Sequence, residues 1–138
     1  MSIITNSTLK VRYCETDQMG VVHHSNYAKY LEVARIEWIS QLGFSYKSME
    51  DDGVMLPVLT LEFKFKKSAF FNDVLTVKTK IKKIPTFRIQ FEYEIYNQSQ
   101  ELLTIASTDL VFVDAVTRKP MLCPKPILQK IETLFESN

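Results

Sequence analysis

Glycine is scarce in this chain, with three residues in 138. Neither a GxGxxG turn nor a Walker-type phosphate loop can be assembled from so few, which excludes dinucleotide and P-loop nucleotide chemistry. Cysteine is scarcer still, with two. Cys14 and Cys123 lie far apart, match neither a metal-ligand spacing nor a nucleophile signature, and read as reduced thiols of an intracellular protein. A surplus of charge is also missing. The formal net charge of +1 offers no argument for nucleic acid, membrane surface or a strongly acidic partner. No apolar run approaches transmembrane length and no secretory leader opens the chain, so no membrane association is expected and the expected compartment is the cytoplasm. No serine stands in a GxSxG elbow, and no repeat, linker or low-complexity tract interrupts the sequence.

What is present suits one domain spanning residues 1–138. Hydrophobic residues make up 46% and charged residues 24%, proportions that let a chain of this length bury a real core. From Thr8 to Tyr13, Leu9, Val11 and Tyr13 alternate with Lys10 and Arg12, a short strand. A loop follows with Glu15, Asp17, His23 and His24, and Gly20 lets it turn tightly. Ser25 and Asn26 supply N-cap chemistry for a helix of about five turns that ends before Gly43. Its residues Tyr27, Leu31, Ala34, Trp38 and Leu42 form one apolar stripe. Val33, Ile36 and Ile39 fall outside it, which predicts a helix wrapped by a sheet and covered in part by a second subunit.

Phe44 to Gly53 reads as a polar connector. Four alternating segments come next, carrying Leu59–Phe65, Leu75–Ile81, Phe87–Ile95 and Leu102–Val113. Their short turns predict antiparallel hairpins. In the middle hairpin, apolar side chains must share the core face on both strands. The register that does so while pairing Lys80 with Glu92 and Lys78 with Glu94 is preferred, because a shift by two sets Lys82 against Arg88. It closes over a short loop centred on Thr86. After a proline-rich stretch, Ile127 to Phe135 closes the chain as a short amphipathic helix. The fold class expected is α+β.

Asp17 is the leading candidate for chemistry. An aspartate in a loop commonly makes only an Asx-turn. Here it stands with Gly20 and His24 in eight residues just ahead of a helix N-terminus, where free N–H groups and the helix dipole favour negative charge. That arrangement suits a reaction with a developing oxyanion. Asp17, His23 and His24 could ligate a metal by type, but adjacent histidines in an extended segment face opposite ways and no HxH or HxxxH spacing is present. No metal and no cofactor is expected.

The stretch RYCETDQMGVVHHSNYAKYLEVAR resembles the signature of the 4-hydroxybenzoyl-CoA-type acyl-CoA thioesterases. Tyr13, Glu15, Thr16, Asp17, Gly20, Val21, Val22, His24, Asn26, Tyr27, Glu32 and Arg35 match it. A weaker match covers Phe65 to Thr79, with Ala69, Phe71 and Asp73 in place. His23 stands where the family usually has an aromatic, and Ser68 replaces the usual proline. The resemblance implies a hotdog fold, a curled antiparallel sheet of about five strands around one long central helix, paired into a homodimer or homotetramer with sites at the subunit interface. It implies hydrolysis of an acyl-CoA or acyl-carrier-protein thioester. Asp17 would be nucleophile or general base, a backbone N–H near His24 would polarise the carbonyl, and the His24 side chain and Tyr13 would orient water or Asp17. Gly20, Val21 and Val22 would line the substrate site, and Lys83 and Arg88 would take the CoA phosphates. Two alternatives stay open: a dehydratase or hydratase using Glu32 or Glu37 on the helix, and a non-catalytic acyl-CoA-binding protein.

Overall fold

The computed structural model describes residues 4–137. Its centre is helix α1 (Tyr27–Gln41), lying against a five-stranded antiparallel sheet. The strands are β1 (Thr5–Lys10), β3 (Val58–Phe65), β4 (Val74–Ile81), β5 (Arg88–Tyr96) and β6 (Leu102–Val111), in the order β1-β4-β5-β6-β3. A small second sheet pairs β2 (Val54–Met55) with β7 (Val113–Asp114). Two further helices are α2 (Tyr46–Asp51) and α3 (Lys125–Ser137).

The helix stripe is the core: Tyr27, Leu31, Ala34, Trp38 and Leu42 are all buried. Trp38 meets Phe91 of β5 edge-on at 5.2 Å between ring centroids. Gly43 takes φ +94° just past the helix end, a conformation that costs glycine nothing. Of the three apolar residues outside the stripe, Ile39 is buried in the core after all, whereas Val33 and Ile36 are exposed.

Strands β4 and β5 pair in the expected register, Lys80 opposite Glu92 and Lys78 opposite Glu94. Pairing stops at Ile81 and Phe91, so the loop is longer than expected. Beyond that point the chain turns to other partners: the Thr86 carbonyl accepts the Cys123 N–H at 2.8 Å. The first strand also differs. It starts at Thr5 and ends at Lys10, because its inward positions Thr5 and Ser7 are polar and do not announce a buried face. The connector Phe44–Gly53 contains α2, begun by a reciprocal Ser45/Ser48 cap.

One connection decides where the site falls. Between β3 and β4, residues 66–73 cross the end of the sheet from one edge towards the other. On the way the Ala69 carbonyl accepts the Val22 N–H at 2.8 Å, and Phe70 bridges Val21. The loop ahead of α1 is thereby fastened to the end of β3.

Candidate active site

After Lys10 the backbone does not continue as a strand. It tightens into a 3-10 turn, Tyr13–Glu15, that points Tyr13 outward and Glu15 inward. Tyr13 is 77% exposed, packs edge-on against Phe71 at 5.6 Å and does not reach the cavity described below. The alternation that placed it on an inner face ends where the strand does.

Glu15 takes the inner position. Its carboxylate accepts hydrogen bonds from the Arg12 N–H at 2.8 Å, the Tyr30 hydroxyl at 2.9 Å and the Arg12 guanidinium at 3.2 Å. Burial pushes its pKa up, but these donors outweigh burial and it lies below the ordinary value. Its backbone carbonyl accepts the His23 N–H and the Asn26 side-chain amide, both at 2.9 Å. Asn26 therefore ties the loop together and makes no side-chain cap bond to α1. The capping role expected of Ser25 and Asn26 passes to His23, whose ring accepts the Ser25 N–H.

Between these anchors residues 16–22 form a tight hairpin. Thr16 bridges Val22, the Asp17 N–H donates to the Val21 carbonyl at 2.9 Å, and Gly20 sits at φ +79°. The Asp17 side chain makes the commonplace turn after all: Oδ1 accepts the Met19 N–H at 2.8 Å and the Val21 N–H at 3.4 Å. These bonds pin one carboxylate oxygen and leave Oδ2 without a partner among the described residues.

Asp17, Val22, His23, His24, Tyr27, Phe65, Lys66, Lys67 and Ser68 line one cavity of about 290 Å³. The histidines do not face opposite ways. The chain enters a 3-10 turn at His24, and the two rings lie 4.2 Å apart between centroids, tilted by 31°. Even so, no group of three metal-binding side chains occurs among the described residues. In the run from His23 to Tyr27 the backbone N–H groups are accounted for in turn. His23 donates to Glu15, Ser25 to the His23 ring, Asn26 to the His23 carbonyl and Tyr27 to the His24 carbonyl. The N–H of His24 is left without an acceptor among the described residues.

Gly20 and Val21 shape the hairpin without lining the cavity, and Val22 lines it. Lys83, just past the end of β4, and Arg88, the first residue of β5, stand at the opposite end of the sheet, so within one chain they do not meet Asp17. The motif reading gives Tyr27 no role in the site, and it does not assign Phe65, Lys66, Lys67 or Ser68 to it. The weaker match beginning at Phe65 touched them, and only the crossing loop explains why they arrive there. Glu32 and Glu37 do not line the cavity.

Known proteins repeat the fold. The DHNA-CoA thioesterase of Staphylococcus aureus is 38% identical and superposes with a TM-score of 0.89, over 97% of this chain and 94% of that one. Slr0204, a 1,4-dihydroxy-2-naphthoyl-CoA thioesterase from Synechocystis, is 26% identical with a TM-score of 0.87, over 96% and 98%. The acyl-CoA thioester hydrolase YbgC of Escherichia coli O157:H7 is 29% identical over 124 residues, 90% of this chain and 92% of its own. Residues 11–131, the span from the end of β1 into α3, match the thioesterase-like superfamily, and the chain belongs to that family, with its hotdog fold.

Proposed function

We propose that the protein hydrolyses acyl-CoA thioesters, with Asp17 as the reacting carboxylate. The observation that carries this is the pairing, in one cavity, of a carboxylate with one oxygen pinned and one free and a His24 N–H that has no acceptor. The free N–H stands at the start of a 15-residue helix, where the dipole adds to its pull on a developing oxyanion. One such donor contributes ~3–4 kcal/mol to the transition state. Asp17 Oδ2 then either attacks the thioester carbon, giving a mixed anhydride and the CoA thiolate, or takes a proton from an attacking water. The exposed His24 ring, in the same cavity, orients that water; Tyr13, turned outward, has no part in this. Names of relatives support the reading, two of them naming a dihydroxynaphthoyl thioester. A dehydratase would need Glu32 or Glu37 at the site, and neither is there.

The substrate site is completed by a second copy. Strand β3 is a sheet edge, and on its helix-facing side Leu59, Leu61 and Phe65 are 44–51% exposed. Pairing β3 with itself about a two-fold axis covers them and removes the open edge. The Val58 end of the partner strand then lies beside the Phe65 end of this one. In each chain Val58 pairs with Leu110, and Arg88 pairs with the adjacent Val111. Arg88 of the partner subunit therefore stands about three strand spacings, roughly 14 Å, from the cavity. The pantetheine arm of CoA reaches roughly 15 Å, about four extended residues. Lys66 and Lys67 are too near Asp17 to hold the pyrophosphate, whereas the partner's Arg88 is at the right distance.

The test is free-thiol release from a panel of acyl-CoA and acyl-carrier-protein thioesters. Asp17→Asn keeps the shape and is expected to lower kcat by roughly 10²–10⁴ with the melting temperature within a few degrees. Near-normal turnover in that variant would sink the assignment.

A further inference from the structure

Asn26 is buried, 8% exposed, at the start of helix α1, yet its side chain makes no cap bond to that helix. Its amide hydrogens reach back along the chain instead. Nδ2 donates to the Glu15 carbonyl at 2.9 Å and to the His23 carbonyl at 3.4 Å. Each of those carbonyls already has a backbone donor: the His23 N–H on Glu15 at 2.9 Å, and the Asn26 N–H on His23 at 3.0 Å. Neither would be stranded without the side chain, so satisfying them does not account for a buried amide here. Lys29, one turn further along α1, places Nζ 3.4 Å from Oδ1, and a cation there makes the amide a stronger donor.

The second of those carbonyls belongs to the peptide unit that matters most to the chemistry. The His23 C=O and the His24 N–H are the two ends of one trans peptide group, and in such a group they point in opposite directions. Fixing the carbonyl therefore fixes the N–H. Asn26 holds the carbonyl with two donors, one from its backbone and one from its side chain. The N–H is turned the other way, and His24 lines the Asp17 cavity. Hydrogen bonding at an amide oxygen also polarises the group and strengthens its N–H as a donor. Asn26 itself does not line the cavity, so any effect it has on the reaction passes through this peptide or through the hairpin.

We propose that Asn26 is a positioning residue: its side-chain amide clamps the Glu15 and His23 carbonyls together, and so aims and polarises the His24 N–H on which the oxyanion forms. This rests on the thioesterase reading above. An oxyanion donor acts mainly in the transition state, so misaiming it lowers kcat and leaves KM in place. It also leaves a chemical signature. Sulfur accepts hydrogen bonds weakly, so a dithioester, with C=S in place of C=O, gains less from that N–H than the thioester does.

The experiment takes the acyl-CoA that wild type cleaves fastest in the panel above, together with its dithioester analogue, and follows CoA release from each. Asn26→Ala should lower kcat on the thioester roughly 10–100-fold with KM within about two-fold. The ratio of thioester to dithioester rates should shrink by a similar factor. The melting temperature should fall by only a few degrees, since both carbonyls keep a backbone donor. Asn26→Leu, close to asparagine in shape but without the amide, serves if the alanine variant melts early. A rate ratio equal to that of wild type in a folded variant would overturn the assignment and make Asn26 a brace of the hairpin alone. An unchanged kcat would overturn it too, with the thioesterase reading intact; no hydrolysis of any CoA thioester would remove both.

Discussion

Burial acting alone would raise the Glu15 carboxyl, yet the Arg12 N–H, the Tyr30 hydroxyl and the Arg12 guanidinium hold it below its ordinary value. The same contact works on the other partner: burial first, then Glu15, pushes the Tyr30 phenol far above the usual range. Because the folded value of Glu15 is the lower one, its contribution is present above the unfolded value of 4.5 and is lost as pH falls through the folded value. Tyr30→Phe removes one donor from this carboxylate. It should cost about 1–2 kcal/mol at neutral pH and move the onset of acid unfolding upward, as read from urea midpoints between roughly pH 3 and 6. Glu15→Ala should lower kcat as well, since its backbone neighbours carry the hairpin that holds Asp17, and the buried Tyr30 hydroxyl is left unpaired. An acid-unfolding profile unchanged by Tyr30→Phe would show that Glu15 is not the titrating support.

Strand β3 and the loop that follows it are the elements on which both the proposed assembly and the proposed chemistry depend. Leu61→Lys places a charge in the middle of the apolar face of β3 and should yield a monomer by light scattering, with hydrolysis lost although Asp17 is untouched. Ile36→Lys, on the exposed face of α1, should leave the dimer and its activity in place. A fully active Leu61→Lys monomer would refute the edge pairing. These elements also show what could be read in advance. The alternation of β4 and β5 is local, and their Lys–Glu pairs chose the register, so both were legible. Helix α1 was legible from its stripe and from Gly43. Tyr13 was misplaced because a single 3-10 turn resets which side chain faces inward. Lys66, Lys67 and Ser68 were not assigned to the site because nothing near them in sequence names it; their position follows from the route of residues 66–73 across the sheet. Lys83 and Arg88 lie far from Asp17 within one chain, and Arg88 enters the proposed site only through a second copy, which one chain's pattern does not describe.

At the scale of the whole molecule, the core is expected to make the protein sensitive to alkali. Burial among the sheet and helix residues is the main cause that pushes the Tyr93 phenol up to about 12, and its hydroxyl lies 2.8 Å from that of Thr108. Burial also pushes the Cys123 thiol up to about 12. For each the folded value is the higher one, so its contribution is whole below the unfolded values of 10.0 and 9.0 and is lost as pH climbs towards 12. For Tyr93 this amounts to about 2–3 kcal/mol. Tyr93→Phe should flatten the fall in urea midpoint above pH 10; an unchanged slope would assign the loss to other groups. The open edge of β3 has a consequence for genetics as well as for structure. If each site takes Asp17 from one chain and Arg88 from the other, two defective alleles can complement. Asp17→Asn and Arg88→Ala chains, unfolded together and refolded as a mixture, would form hybrid dimers in which one site inherits both intact residues. Random assortment puts about a quarter of all sites in that state. Activity at low substrate would then reappear from two preparations that each lack it.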